Sequence, residues 1–360
     1  MSGAPVLGGA EAADPAWFTC ALREAGALPE GQVIAVESER VGNGLIGDSV
    51  MFTLGYEGAG PGAPRSLVGK FASKDAPSKA AAIRLLLYKR EVSFYREIAP
   101  IVQIRTPRTY FAGFDPQQEE FTVLMENLAP ARGGEQIAGC SVADCAVALR
   151  EIAALHAPRW GSPEIEATPW LRAREANLAR HAEMLPGVAD QFMERFGALV
   201  DDADRTLIER FVPCFGAIST DRSAPRTLVH ADFRLDNVMF DVHGEPGTMA
   251  TLDWQTICVD AGLLDVAFFI GGALGIDARR AHEEALVRGY LEALHERGVP
   301  DYGWDACWRD YRRFACRHLF TPLVSAVGFK RTPRGDEMFL TMLRRLCQQS
   351  VDLDSLAHWR

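Results

Sequence analysis

Several features that would place a chain in a common functional class are absent from this sequence. Lys and Arg number 38 against 48 Asp and Glu in 360 residues, which gives a formal net charge of −10. Because the chain has no excess of positive charge with which to neutralise phosphates, we expect no binding to nucleic acid. The N-terminus lacks the basic start and apolar run of a signal peptide, and the most apolar stretch, 267–276, is too short to span a bilayer. We therefore expect no membrane insertion.

Metal-binding spacings of cysteine and histidine are absent as well. The 8 cysteines are scattered without a C-x-x-C pair, and the histidines show no pair at ligand spacing, so a zinc site is not expected. Free thiols in a reducing compartment account for this pattern, and we expect a cytoplasmic protein. The sequence has no internal repeat, and it is long enough for two lobes that each have a hydrophobic core.

One stretch, 228–254, combines short apolar strands with polar residues at fixed spacing. Its pattern predicts the end of a strand, a polar loop, a short strand, a hairpin turn and a second strand that is closed by an acid. The strands are expected to hold four polar side chains near one another: His230, Asp232, Asn237 and Asp253. Phosphoryl transfer from a nucleotide needs such groups, because one carboxylate accepts the proton of a hydroxyl while an amide oxygen and a second carboxylate hold magnesium.

The spacing His230-x-Asp232-x-x-x-x-Asn237, followed by Asp253-Trp254, resembles the catalytic and metal-binding loops of the aminoglycoside phosphotransferase and choline kinase-like family, whose members are relatives of the protein kinases. The run 149–160 is similar to the choline kinase-like and ecdysteroid kinase-like branch of that family.

The resemblance, which covers about residues 40–275, implies an α+β, two-lobed protein-kinase-like fold. Residues 1–127 would form a small N-terminal lobe that binds nucleotide, with an antiparallel β-sheet and one key helix. Residues 128–360 would form a larger, mainly helical lobe that carries the catalytic and acceptor-binding groups.

A glycine-rich segment between two apolar strand patterns is the first part of the expected nucleotide site. Gly42, Gly44 and Gly47 spell G-x-G-x-x-G, and such a turn can bring backbone N–H groups against phosphates because no Cβ blocks the approach. An ordinary hairpin turn is the alternative interpretation. The resemblance implies that Gly44, Gly47 and Ser49 contact the phosphates.

Lys70, on the strand predicted over 66–72, could pair with the α and β phosphates, and Lys74 is the alternative. Apolar periodicity predicts a helix over 78–98. In the resembling family a glutamate on this helix holds the lysine, and Glu91 matches better than Glu97.

A strand pattern that begins at Phe121 predicts the hinge between the lobes. Backbone groups of Glu126 to Leu128 would hydrogen-bond the adenine of the nucleotide, and an edge hairpin without this function is the alternative.

The C-terminal part is predicted to be mainly helical. Ser141 and Asp144 can form a capping pair at the start of a helix that ends near His156. We expect Asp265 to cap a helix and to anchor the catalytic loop, and His156 to pack or hydrogen-bond at its helix end. Further helices are predicted over 169–218, 278–297, 301–326 and 335–350.

The resemblance implies a phosphotransferase that uses ATP (or GTP) and Mg²⁺ to phosphorylate a hydroxyl of a small molecule. Asp232 would accept the proton, His230 would brace the loop, and Asn237 and Asp253 would bind magnesium. Arg234 would either neutralise charge on the transferring group or lie at the surface.

Two other hypotheses stay open. The chain could bind nucleotide without transferring phosphate, or it could be a metal-dependent hydrolase built on His230, Asp232 and Asp253, although further histidine ligands are missing. Candidate acceptors are aminoglycosides, macrolides, choline-like amines, sugars and lipophilic alcohols. The net charge favours a cationic acceptor, whereas the resemblance of residues 124–160 to one branch of the family favours a lipophilic alcohol. The sequence indicates no oligomeric state.

Overall fold

The computed structural model of the protein describes residues 3–41, 46–172, 175–328 and 331–359. The chain divides into two compact units. The first comprises Met1–Ile101, Thr106–Pro130 and Leu252–Thr256, and the second comprises Val102–Arg105, Ala131–Thr251 and Ile257–Arg360. The segment Leu252–Thr256, which lies far beyond the predicted lobe boundary at residue 127, groups with the first unit.

The first unit contains a five-stranded antiparallel sheet of order β1-β2-β3-β5-β4. Its strands are β1 (Gln32–Val41), β2 (Gly47–Glu57), β3 (Ser66–Ala72), β4 (Thr109–Asp115) and β5 (Glu120–Glu126). Alternate residues of β2 and β3, such as Phe52 and Phe71, point to one buried face. Helix α1 (Pro15–Glu24) covers that face with Trp17 and Phe18.

The single helix predicted over 78–98 is wrong, because the chain changes direction at Leu86. Helix α2 (Ala76–Arg84) ends before this residue, which adopts a left-handed φ of 59°, and α3 (Leu87–Ser93) begins after it and continues into a π-helical turn. The break lets α3 bury most of its surface, whereas α2 buries only Ala82. Apolar residues on both sides of Leu86 conceal the break from a periodicity analysis.

The second unit is mainly helical. Its helices are α4 (Val142–His156), α5 (Pro163–Ala167), α6 (Pro169–Arg172), α7 (Glu175–Phe196), α8 (Asp202–Thr220), α9 (Leu263–Ala273), α10 (Ile276–Glu296), α11 (Trp304–Phe314), α12 (Phe320–Gly328) and α13 (Pro333–Asp352). Its strands are β6 (Arg132–Gly133), β7 (Arg226–Val229), β8 (Val238–Phe240), β9 (Met249–Thr251) and β10 (Cys258–Ala261). The sheet at the N-terminus and the helices of the C-terminal part confirm the predicted α+β class.

The helix predicted over 301–326 is also wrong, because α11 and α12 are separate. The C-terminal residues of the chain take hydrogen bonds that a continuous helix would need. The carbonyl of Arg313 accepts from the Ser355 hydroxyl at 3.1 Å and from Trp359 Nε1 at 2.8 Å, and the N–H of Cys316 donates to Ser355 Oγ at 3.0 Å. A distant segment therefore ends α11.

The apolar stretch 267–276 lies largely in α9, every residue of which is buried. No helix within the described ranges combines the length and the apolar character needed to cross a membrane. The apolar run is therefore part of the core of the second unit.

The predicted capping pair of Ser141 and Asp144 starts α4. Ser141 is the N-cap and accepts a hydrogen bond from the N–H of Asp144 at 3.0 Å. The Asp144 carboxylate also accepts from Arg132 Nη2 at 2.8 Å. Burial acts to raise the pKa of Asp144, but the hydrogen bond and charge of Arg132 and the hydrogen bonds of Ser141 outweigh it and hold the pKa below its usual value.

Substitution of Ser141 measures how much its capping hydrogen bond contributes to the free energy of unfolding. We expect Ser141→Ala to lower the free energy of unfolding by about 1 kcal/mol, because one N–H of the first turn loses its acceptor. Urea denaturation monitored by circular dichroism measures the change. Ser141→Thr keeps a hydroxyl and should stay close to the parent. An equal loss in both variants would contradict the capping role.

Candidate active site

Three charged side chains meet in the first unit. Lys70 on β3 places Nζ 2.8 Å from both carboxylate oxygens of Glu91 on α3 and 2.7 Å from Oδ1 of Asp253. The side chain of Glu91 is 1% exposed, that of Lys70 13% and that of Asp253 26%. Of the two glutamates that the sequence left open, Glu91 contacts the lysine and Glu97 is exposed. Lys74, the alternative lysine, is exposed and pairs with Glu11.

The two carboxylates share one ammonium group, and this sharing shifts the pKa values. Burial raises the pKa of Glu91 to about 7, because the charge of Asp253 adds to the desolvation and Lys70 only partly offsets both. Burial acts to lower the pKa of Lys70, but the charges of Asp253 and Glu91 outweigh it and the pKa lies above its usual value. Lys70 therefore stays protonated at neutral pH.

Asp253 is held in place by its neighbours in the chain. Its backbone has a left-handed φ of 62°, and its Oδ2 accepts from Nε2 of Gln255 at 3.0 Å. Trp254 is fully buried and stacks on Phe94, with the ring centroids 3.8 Å apart. This stacking fixes the segment that carries Asp253 against the residues that follow α3.

The predicted phosphate turn lies partly outside the described residues, and Gly44 is among the residues that are not described. Gly47 and Ser49 lie at the start of β2, where Ser49 is opposite Lys70 in the ladder with β3. A Cβ on Gly47 would lie 2.9 Å from the carbonyl oxygen of Phe71, so a larger residue would push the strands apart.

The predicted hinge residues lie at the end of β5. The N–H of Glu126 donates to the carbonyl of Arg108 at 2.8 Å, and its Oε1 accepts from the N–H of Arg108 at 2.9 Å. Leu128 is buried. Since the N–H of Glu126 is already used, it is not available to a nucleotide in this conformation.

The second unit brings His230, Asp232 and Asn237 together in the loop between β7 and β8. Nδ2 of Asn237 donates to the carbonyl and to Oδ2 of Asp232, both at 2.9 Å. The N–H of Asp232 donates to Nδ1 of the fully buried His230 at 3.3 Å, so the imidazole is bonded to the loop backbone. Strands β8 and β9 form the predicted antiparallel hairpin after the loop.

Asp265, in the first turn of α9, anchors the start of this loop. Its two carboxylate oxygens accept from the N–H groups of His230 at 2.7 Å and Ala231 at 2.9 Å. The predicted anchoring is therefore confirmed. The predicted capping is not, because Gly262 occupies the N-cap of α9 and forms no side-chain cap bond. His156 contacts Asp265 Oδ2 at 3.3 Å, in keeping with its predicted hydrogen-bonding role.

The electrostatics of Asp265 follow from these contacts. Burial acts to raise the pKa of its carboxyl group, but the hydrogen bond and charge of His156, the charge of His230 and the N–H of Ala231 outweigh it, and the pKa lies below its usual value. A fully buried carboxylate thus stays ionised at neutral pH.

Arg234 is held between two carboxylates. Its Nε lies 3.3 Å from the carboxylate of Asp232, and its Nη1 donates to Oδ2 of Asp236 at 2.8 Å. The side chain is 19% exposed, so Arg234 is not a solvated surface residue. Within the described ranges, no group of three or more His, Cys, Asp or Glu side chains is arranged to hold a metal ion.

This chain is similar to a known protein family in sequence and to solved structures in fold. The sequence profile of the phosphotransferase enzyme family, APH, matches residues 60–307. The chain belongs to this family. No curated protein matches the chain in sequence.

Three solved structures resemble this phosphotransferase family member in fold. A candidate aminoglycoside phosphotransferase from Ralstonia eutropha has a TM-score of 0.54 at 15% identity, over 94% of this chain and 97% of its own. A mutant of aminoglycoside 2'-phosphotransferase-IIIa in complex with GDP has a TM-score of 0.51 at 14% identity, over 94% and 98%. Plasmodium vivax ethanolamine kinase has a TM-score of 0.51 at 11% identity, over 87% and 82%. These likenesses confirm the predicted kinase-like fold.

Sequence analysis missed two residues in and beside the loop 230–237. Asp236, which pairs with Arg234, lies inside the motif but at one of its variable positions. Gln136 lies in the glycine-rich segment 130–139, which shows no helix or strand pattern, yet it is fully buried and accepts from the N–H of Leu235. A glutamine in a glycine-rich loop gives no periodic signal from which that burial could be inferred.

The anchoring by Asp265 can be tested through its pH dependence in this phosphotransferase family member. We expect Asp265→Asn to lower the free energy of unfolding at pH 7 by about 3 kcal/mol, because the loop N–H groups lose a charged acceptor. A lowered folded-state pKa stabilises the protein above the unfolded pKa and loses that effect as pH falls through the folded value. The difference between variant and parent should therefore shrink below about pH 4.

Denaturant titrations at several pH values provide the measurement. Asp305→Asn is the matched control, since Asp305 also lies in the first turn of a helix but is exposed. Its effect should stay within about 0.5 kcal/mol at every pH. A deficit in Asp265→Asn that does not change with pH would show that an ionised Asp265 is not the anchor.

Proposed function

We propose that this chain is a small-molecule kinase that transfers the γ-phosphate of ATP (or GTP) to a hydroxyl group. The observation that carries the proposal is the cluster of Lys70, Glu91 and Asp253. The three charged side chains come from residues that are distant in sequence, and they lie in a largely buried cluster. Burying charged groups lowers stability unless their mutual attraction and hydrogen bonds offset the loss of hydration. Charged groups with shifted pKa values are concentrated at functional sites.

Nucleotide binding is assigned to the first unit. Lys70, oriented by Glu91, would pair with the α and β phosphates. Gly44, Gly47 and Ser49 would approach the phosphates, because they belong to the glycine-rich segment that precedes β2. At the hinge the N–H of Glu126 is occupied, so the adenine would bond to the carbonyl of Glu126 and to the backbone of Leu128. The GDP complex of a structural relative favours a nucleotide ligand.

Magnesium is assigned to Asn237 and Asp253, whose side chains provide the oxygen donors that this ion prefers. Because the amide nitrogen of Asn237 donates to Asp232, its amide oxygen is the atom left to accept a cation. Asp253 adds a second carboxylate to a cluster with one ammonium group, which leaves negative charge for a divalent ion. When bound, the ion would neutralise charge on the phosphates.

The proton of the acceptor hydroxyl is assigned to Asp232. As the hydroxyl oxygen bonds to the γ-phosphorus and the bond to the nucleoside diphosphate breaks, the carboxylate of Asp232 takes the proton. Asn237 holds this carboxylate in one orientation, and His230 holds the backbone N–H beneath it. Arg234 would lower the electrostatic cost of the phosphoryl group that approaches Asp232.

Hydroxyl-bearing amines are the first acceptor class to test. By their names, the structural relatives are aminoglycoside phosphotransferases and an ethanolamine kinase. The net charge of −10 also favours a cationic acceptor.

We propose that the reaction takes place in the cytoplasm, in line with the free cysteines of the described chain. A chain that only bound nucleotide would not need the contacts between Asn237 and Asp232.

The function is tested by turnover of ATP and GTP against aminoglycosides, macrolides, amines, sugars and sterols, with and without Mg²⁺. We expect turnover with one acceptor class that a chelator abolishes. Asp232→Asn should lower kcat by about 10²–10⁴-fold, because a general base is lost, while nucleotide affinity stays within about threefold. Asp241→Asn, a nearby variant at a partly exposed carboxylate, should keep parental turnover. Nucleotide binding without turnover on any acceptor would support the binding-only alternative.

Nucleotide binding is tested by comparing two lysines. We expect Lys70→Met to raise the dissociation constant of ATP by at least about tenfold, because a phosphate-pairing charge is removed. Lys74→Met removes an exposed lysine whose ion pair with Glu11 contributes at most about 1 kcal/mol, and it should bind ATP as the parent does. Calorimetric titration measures both, after melting curves confirm that each variant is folded. Equal affinities for ATP would remove Lys70 from the nucleotide site.

A further inference from the structure

Gln136, in the segment that follows β6, holds two consecutive residues of the catalytic loop. Its Oε1 accepts from the N–H of Leu235 at 3.0 Å, and its own N–H donates to Oδ1 of Asp236 at 3.1 Å. Both residues lie between Asp232 and Asn237 in the chain. The side chain of Gln136 is fully buried, so water does not compete for the bond that its Oε1 accepts from Leu235.

Gln136 is itself held in one orientation. Its Nε2 donates to the carbonyl of Gly272 in α9 at 2.9 Å, and its carbonyl accepts from Nη1 of Arg345 in α13 at 2.9 Å. The same Nη1 donates to the carbonyl of Gly272 at 3.0 Å. Two helices of the second unit therefore fix both the side chain and the backbone of this glutamine.

The contact with Asp236 extends to the carboxylate that we assign to catalysis. Asp236 holds Arg234 through Oδ2 at 2.8 Å, and Nε of Arg234 lies 3.3 Å from Asp232. A displacement of Leu235 and Asp236 would therefore move the guanidinium beside Asp232. It would also move Asn237, the next residue, whose amide orients the same carboxylate.

We propose that Gln136 is a positioning residue for phosphoryl transfer, which keeps Arg234 and Asn237 in the places that orient the carboxylate of Asp232. The inference rests on the proposed function of that carboxylate. Asp265 fixes the start of the loop through His230 and Ala231, and Gln136 fixes its second half. The residue acts through the loop and does not contact the reacting groups.

A second buried glutamine gives a matched control. Gln349 in α13 is also fully buried, and its Nε2 donates to the carbonyl of Ala267 in α9 at 3.1 Å and to the Tyr311 hydroxyl at 2.9 Å. It packs beside Gly271, as Gln136 packs beside Gly272. Neither of its bonds reaches the catalytic loop. Gln136→Met and Gln349→Met thus each remove a side-chain amide that donates to a carbonyl of α9, with different consequences for Asp232.

The two variants are compared by steady-state kinetics well below their melting temperatures. We expect Gln136→Met to lower kcat by about 10–100-fold with the KM for nucleotide within about threefold, because a small displacement of a catalytic group affects the transition state more than binding. Gln349→Met should lower the melting temperature similarly and keep kcat within about twofold of the parent. Equal losses of kcat in both variants would overturn the proposal.

A pH profile separates positioning from simple loss of volume. Gln136→Glu keeps an oxygen for the N–H of Leu235, but its ionised form places a carboxylate against the carbonyl of Gly272. Only the protonated acid can donate to that carbonyl, so kcat of Gln136→Glu relative to the parent should rise as pH falls. A flat ratio between about pH 5.5 and 8.5 would also overturn the proposal.

Hydrogen exchange tests whether Gln136 holds the loop, and it does so independently of the proposed function. Peptides that cover 230–237 should exchange faster in Gln136→Met than in the parent, whereas Gln349→Met should leave them unchanged. If the parent transfers phosphate to no acceptor, the proposed function fails, and exchange still decides whether Gln136 holds the loop. If the parent is active and the exchange of this peptide is unaltered in Gln136→Met, the positioning inference alone fails.

Discussion

The hydrogen bonds of the buried Asp265 carboxylate are the interactions on which the loop 230–237 depends. The carboxylate accepts from the N–H groups of His230 and Ala231, and Ala231 adopts a left-handed φ of 65° that is unfavourable for alanine. An ionised carboxylate in the core would be costly without these donors and without His156 beside it. The anchor and the loop therefore stabilise each other, and the backbone enters the loop in a single conformation.

A different principle orders the charges of the first unit. There Lys70 lies between Glu91 and Asp253 at hydrogen-bond distance from both, so two carboxylates share one ammonium charge. The raised pKa of Glu91 shows that its ionised form is stabilised less than in water. Such a cluster is poorly optimised for stability alone. Under the proposed function, an anionic nucleotide and a divalent cation would redistribute the charge of this cluster.

The parts of the fold that could be predicted from the sequence are those encoded by local spacing. The motif from His230 to Asn237 and the strand of Lys70 depend on residues close in sequence, so their positions were readable. The breaks at Leu86 and after Arg313 depend on partners elsewhere in the fold, and periodicity does not register them. Gln136 was missed for the same reason, since its burial depends on helices that follow it by more than a hundred residues.

The two adjacent glycines of α9 are the sequence feature that indicates a buried side chain such as that of Gln136. Glycine inside a helix costs about 1 kcal/mol relative to alanine, so a Gly-Gly pair in a fully buried helix needs a packing reason. A Cβ on Gly271 would lie 2.0 Å from Oε1 of Gln349, and one on Gly272 would lie 3.2 Å from Nε2 of Gln136. The pair thus admits two glutamines to the surface of the helix. Because α9 also carries Asp265, one helix supports the loop 230–237 at both of its ends, directly through Asp265 and indirectly through Gln136.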